Sequence, residues 1–125
     1  MKSERTGKII YWSLTSLVAF VFLGSATGKL MANEEALQAA KAFGINAKTY
    51  TLIGIIEIIS LILFVVPRTG VLGTFLLAAY MGGAIATHVE HGISILAPCV
   101  IQSLVLAVSF YRFPELRVTL LNAKP

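Results

Sequence analysis

The chain has 125 residues, of which 57% are hydrophobic and only 13% charged, with a formal net charge of +4. A soluble domain carries about 25% charged residues to wet its surface, so a soluble globular enzyme and a disordered chain are both excluded. One cysteine, Cys99, excludes an intrachain disulfide and any cysteine-rich zinc or iron–sulfur centre, and the basic residues form no run or patch that would grip nucleic acid.

Mean hydropathy is +0.84, and the apolar residues fall in blocks. Residues 9–28 hold no charge, residues 49–66 hold only Glu57, and residues 69–87 and 93–111 hold none. A helix rises about 1.5 Å per residue, so about 20 residues cross a hydrocarbon core of about 30 Å. The blocks are too long and too unbroken for alternating strands. Each is expected to be a membrane span of a single domain covering residues 1–125. The first is read as a retained span, because a signal-peptide core is usually about 7–15 residues long.

The connections are short. Pro67-Arg68 ends span two, and Glu90-His91-Gly92 separates spans three and four. Such turns make neighbouring helices antiparallel, so the expected fold is an all-α polytopic membrane protein, an antiparallel four-transmembrane-helix bundle. Between spans one and two a short amphipathic helix is expected. Asn33 caps it, Glu34 and Glu35 fill its first turn, and Gly44 ends it. Ala36, Leu37, Ala40 and Phe43 share its apolar face. At the far end, Pro114 is placed to start a short helix with Leu116 and Leu120 toward the membrane.

Positive charge sets the orientation. Lys2, Arg5, Lys8, Arg68, Arg112, Arg117 and Lys124 fall on the side of the termini, against Lys29, Lys41 and Lys48 on the other. Both termini are therefore expected in the cytoplasm. Tyr11, Trp12, Tyr50 and Tyr111 lie where an interfacial aromatic belt would sit.

Glu57 is the most informative residue. A charge at a helix centre costs about 2.5–3.5 kcal/mol on insertion scales, so the carboxylate must be paired, protonated or facing a watery cavity. It is either a functional group or a polar staple holding the bundle. Lys29 is the candidate partner, but Glu57 lies about 12 Å below Thr49, which argues against easy contact. His88 at the end of span three is a candidate hydrogen-bonding group, and Gln102 is placed to bond across helices near Glu57. His88 and His91 are three residues apart, but no third ligand completes a metal site, and none is expected. Pro98 is expected to free a carbonyl and kink span four. Gly24, Gly28, Gly70, Gly73, Gly82 and Gly83 are expected to let helices approach closely. Residues 24–29 and 83–88 echo each other, each a small-residue patch followed by a basic group.

The ordered elements Gly24 to Lys29, Gly54-x-x-Glu57, Pro67-Arg68 and Gly82-Gly83-Ala84-x-Ala86-Thr87-His88 resemble the DoxX-like family of small four-helix bacterial membrane proteins, over about Lys8 to Arg112. The resemblance implies a bacterial inner-membrane protein and carries Lys29, Glu57 and His88 over as site positions. The family takes its name from a subunit of a thiosulfate:quinone oxidoreductase, and relatives appear in responses to quinones and thiol stress. It therefore implies a redox-associated accessory subunit or a protein that binds a quinone or another small amphipath. A structural membrane partner without its own ligand and a small transporter are the alternatives. No haem, flavin or iron–sulfur cluster is expected. The expected partners are the lipid bilayer and either a membrane protein or a second copy of the chain.

Overall fold

The computed structural model describes residues 2–121, and Lys124, counted in the charge asymmetry, lies outside them. The chain is helical throughout these residues: α1 (Lys2–Met31), α2 (Glu34–Ala42), α3 (Ala47–Val65), a 3₁₀ turn (Pro67–Thr69), α4 (Gly70–Glu90), α5 (Leu96–Arg112) and α6 (Pro114–Leu121). α1 packs on α3, α3 on α4, and α4 on α5, while α1 and α5 share the slightest of these interfaces. Tyr80 meets Glu57, and an added Gly73 Cβ would touch Phe64, so α3 and α4 run in opposite directions. Thr74 meets Ser109 and Gln102 meets Ala78, so α4 and α5 do too.

Among the described residues three helices are long and apolar enough to cross a membrane: Ser3–Met31, Ala47–Val65 and Pro67–Glu90. The fourth expected span is shorter than its apolar block. α5 has 17 residues and rises about 26 Å. It reaches spanning length only together with α6, from which it is bent by 107°. The sequence between Gly92 and Ile95 is apolar but lies in the turn, not in the helix. Pro98 falls in the first turn of α5, where a missing N–H has no partner to lose, so it starts the helix and does not kink it.

The described core is Val18, Phe22, Leu61, Phe64, Leu77, Met81, Val105 and Val108. Outside it, large apolar side chains such as Phe20, Leu52, Ile62, Phe75 and Val100 stand exposed around the helices. A helix apolar on every side has to be surrounded by apolar material, here the lipid.

The C-terminus of α3 shows how the backbone is satisfied. Pro67 cannot donate to Leu63 O, and the Thr69 hydroxyl donates there instead, at 2.8 Å. Arg112, at the end of α5, donates to Phe64 O at 2.8 Å and Val65 O at 3.3 Å. Its guanidinium is buried against the rings of Tyr11, Phe64 and Phe113. In the sequence Arg112 counts only toward the charge on the side of the termini, whereas in the structure it closes that end of the molecule. Arg112→Met should lower the unfolding free energy in detergent by about 2–3 kcal/mol, because two carbonyls lose charge-assisted donors. The exposed Arg68→Met should change it by less than about 0.5 kcal/mol.

At the opposite end, Asn33 caps α2 through Ala36 N–H and Asn46 caps α3 through Thr49 N–H, both at 2.8 Å. α2 turns Ala36 and Ala40 inward, with Phe43 half-buried, but Leu37 points away from the expected face. α2 and α4 end in the same way. Gly44, at φ +68°, donates to Lys41 O, and Ile45 donates to Ala40 O. Gly92, at φ +66°, donates to Val89 O, and Ile93 donates to His88 O. These paired bonds are Schellman motifs, and glycine holds the left-handed position without strain. The two turns touch: a Cβ on Gly44 would lie 2.9 Å from His91 Nε2.

Only some of the expected close approaches occur. At Gly73 an added Cβ would lie 2.1 Å from Phe64 N, and at Gly54 2.8 Å from Lys29 Cβ. Around Gly24, Gly82 and Gly83 there is nothing within 4 Å of such a Cβ. Those three glycines border open space, not a neighbouring helix.

Candidate functional site

Lys29 and Glu57 meet. Lys29 Nζ lies 3.1 Å from Glu57 Oε1, with the Glu57 residue only 1% and the Lys29 residue 8% exposed. The expected depth mismatch disappears because α1 runs on to Met31 and brings Lys29 level with Gly54, not with Thr49. Glycine at 54 leaves room for the lysine stem against α3. The ammonium then bends one turn, about 4.5 Å, to the carboxylate.

Two further groups complete the cluster. Ser25 accepts from Lys29 at 2.5 Å and donates to Glu57 Oε1 at 3.4 Å. Tyr80 donates its hydroxyl to the same oxygen at 3.0 Å. The ammonium also lies 5.3 Å from the ring centroid of Tyr50 and 5.9 Å from that of Tyr80, within cation–π range. α1, α3 and α4 are thus tied at one point. Every one of these donors uses Oε1, and among the described residues Oε2 receives no hydrogen bond.

This cluster forms the floor of a cavity of about 460 Å³. Its walls are mostly apolar, with Phe22, Ile53, Met81, Pro98 and Ile101 contributing. Phe43 and Ile45, from the end of α2 and its turn, line its upper end. Gly83 and Ala84 keep one wall low, so the open space beside Gly83 is the cavity itself.

His88 lines the same cavity, two turns above Tyr80. Its Nδ1 lies 2.6 Å from Ala84 O. A carbonyl only accepts, so Nδ1 donates to it, and Nε2 is left as the ring's open nitrogen. The ring packs on Phe43, with centroids 4.7 Å apart. The echoed segments 24–29 and 83–88 therefore face one cavity from α1 and α4, but lysine reaches its floor while histidine stays near its top.

Gln102 is not part of this group. Its Nε2 donates to Ala78 O at 3.0 Å, and its Oε1 is buried without a partner among the described residues. It cross-links α5 to α4 and makes no hydrogen bond to Glu57. His91 also turns its Nδ1 to a backbone carbonyl, Thr87 O at 3.0 Å. Among the described residues no group of three metal-ligating side chains converges.

The sequence model of the DoxX-like family matches residues 13–110. The chain belongs to the DoxX-like family. No curated protein and no solved structure matches it. The matched region of this DoxX-like protein contains the whole Lys29–Glu57–Ser25–Tyr80 cluster and His88, and ends just before Arg112.

Sequence reading missed Ser25, Tyr50 and Tyr80. Ser25 is one helical turn before Lys29, a spacing that places both on one face and was legible. Tyr50 looked like a membrane-interface aromatic, whereas its ring covers Lys29. Tyr80 gave no signal of its own. It sits among small residues in an apolar run, and only the pairing of α3 with α4 brings it to Glu57.

Proposed function

We propose that this DoxX-like protein crosses the bacterial inner membrane with α1, α3, α4 and α5 as an antiparallel bundle, with both termini in the cytoplasm. Its cavity binds a small amphipathic molecule of the quinone and quinol class, in the role of a redox-associated accessory protein. The positive residues on the side of the termini support the orientation. The observation that carries the binding reading is a buried lysine–glutamate pair on the floor of an apolar cavity, with one carboxyl oxygen unused. A purely structural ion pair would be packed around on all sides. This one faces about 460 Å³ of space, within the usual range of small-molecule sites.

The polarity of the open atoms narrows the ligand. Glu57 Oε2 receives no hydrogen bond and can accept one, so it suits a head group that carries a hydroxyl proton. That favours the reduced quinol over the quinone.

Lipid-soluble material extracted from the purified protein and separated by chromatography should be enriched in a quinone-class molecule. A short-chain quinol should then bind the purified protein, and Glu57→Gln should weaken it. Loss of a hydrogen bond to a charged group is worth about 1.5–3 kcal/mol, or about 10–100-fold in Kd. No enrichment, together with equal quinol binding by the wild type and Glu57→Gln, would overturn the proposal.

A further inference from the structure

A second pocket lies on the other side of the ion pair. It has a volume of about 260 Å³, sits between α1, α2 and α3, and is lined by Gly24, Gly28, Asn33, Glu35 and Ala36 together with Ser25, Lys29 and Tyr50. The last three residues also line the main cavity. Lys29 and Ser25 are therefore a partition with a space on each face. The two spaces differ in character. The main cavity is walled by apolar side chains from α1, α3, α4 and α5. The second is bordered by Asn33, Glu35 and the glycine-lined end of α1, where α2 meets the surface. Ser25 is exposed, yet its hydroxyl is hydrogen-bonded to the 1%-exposed Glu57.

We infer that this pocket is an aqueous side door, through which water and protons reach the Glu57–Lys29 pair from the α2 side without passing through the ligand cavity. A buried carboxylate with no route to water could neither take up nor return a proton at a useful rate. Here the route is one hydroxyl long. A proton leaving a bound hydroxyl breaks its O–H bond, makes one on Glu57 and leaves the ligand as its oxyanion beside the Lys29 ammonium. Ser25, whose hydroxyl donates to Glu57 at rest, then turns to accept that proton and passes its own to water in the side pocket, which restores the carboxylate and leaves the negative charge on the ligand oxygen. No electron moves in this exchange. The inference rests on the ligand reading for the source of the proton, but the door itself is open to test without a ligand.

The test uses Cys99→Ala protein in vesicles, labelled with a membrane-impermeant cationic methanethiosulfonate. Ser25→Cys reports the partition between the two spaces, and Gly83→Cys reports the main cavity alone. Ile56→Cys reports the lipid face next to Glu57, where the native side chain is 49% exposed. Only a thiolate in water reacts, so Ser25→Cys should label at least about tenfold faster than Ile56→Cys. Adding Ala36→Leu, which fills the side pocket, should slow Ser25→Cys labelling and leave Gly83→Cys unchanged. Gly28→Cys repeats the measurement without touching the ion pair, since its Cβ would meet only Asn33 Nδ2, at 3.5 Å. If Ser25→Cys and Gly28→Cys fail to label, or label regardless of Ala36→Leu, the side door is overturned. If they behave as expected but no quinol slows Gly83→Cys labelling, the door stands and the ligand reading falls.

Discussion

Lys29→Met should lower the unfolding free energy in detergent by about 3–5 kcal/mol, the usual penalty for leaving one member of a buried ion pair unpaired. The carboxylate it strands is 1% exposed and keeps only Ser25 and Tyr80 as donors. Protonation of Glu57 limits the loss, since a neutral acid is easier to bury than an anion. The double variant Lys29→Met with Glu57→Gln should recover much of the stability, because the glutamine carbonyl can still accept from Tyr80 and no charge remains. Reversible unfolding of the two single variants and the double variant measures the coupling. A double variant as damaged as the sum of the singles would show that the pair does not act as a unit. The same series separates stability from binding. Quinol binding lost in the double variant while its stability recovers would locate the ligand contact at the Lys29–Glu57 pair.

Gly73→Ala should be at least as damaging as any single change in the core, about 3 kcal/mol or more, through overpacking. The new Cβ would stand 2.1 Å from Phe64 N and 2.3 Å from Phe64 Cα, so it meets backbone that no rotamer change can move. α3 and α4 would have to separate at the level of Phe64, which is itself fully buried and contributes a carbonyl to Arg112. Gly82→Ala makes the matching control. Its Cβ would meet nothing within 4 Å, and alanine in a helix is favoured over glycine by about 0.5–1 kcal/mol. Thermal unfolding of the two variants should therefore shift in opposite directions or differ several-fold. Equal effects at 73 and 82 would refute the close crossing of α3 and α4.

Much of this architecture was legible in the sequence, because it rests on local physics. The long uncharged runs required helices in lipid, Asn33 and Gly44 marked the ends of α2, and Glu57 stood out as a charge that has to be answered. The readings that failed needed relative heights between helices. Lys29 was placed too high because a span was counted only to its last small residue, while the backbone hydrogen bonds of α1 run on to Met31. The glycines show the same limit. Gly73 and Gly83 look alike in sequence, yet one lies against a backbone and the other borders a cavity, and only the register of α3 on α4 decides which. Gln102 was expected to bond across helices near Glu57, and it does bond across helices, but its partner, Ala78 O on α4, could not be named without the register of α5 on α4. Arg112 entered only the charge count, because nothing local reveals that the end of α3, cut short at Pro67, leaves carbonyls for it to hold.

The contact between the two glycine turns has a consequence for how this chain can vary. Surface connections between helices are ordinarily where insertions and deletions accumulate, because an added residue bulges harmlessly into solvent. Here the ring of His91 rests on Gly44, and Phe43, one residue earlier, rests on His88. An added residue in either turn would carry its partner off the other and lift the cover from the cavity. The lengths of these two connections are thus locked together. Homologous chains that keep the cavity should hold both lengths constant, or change them as a pair.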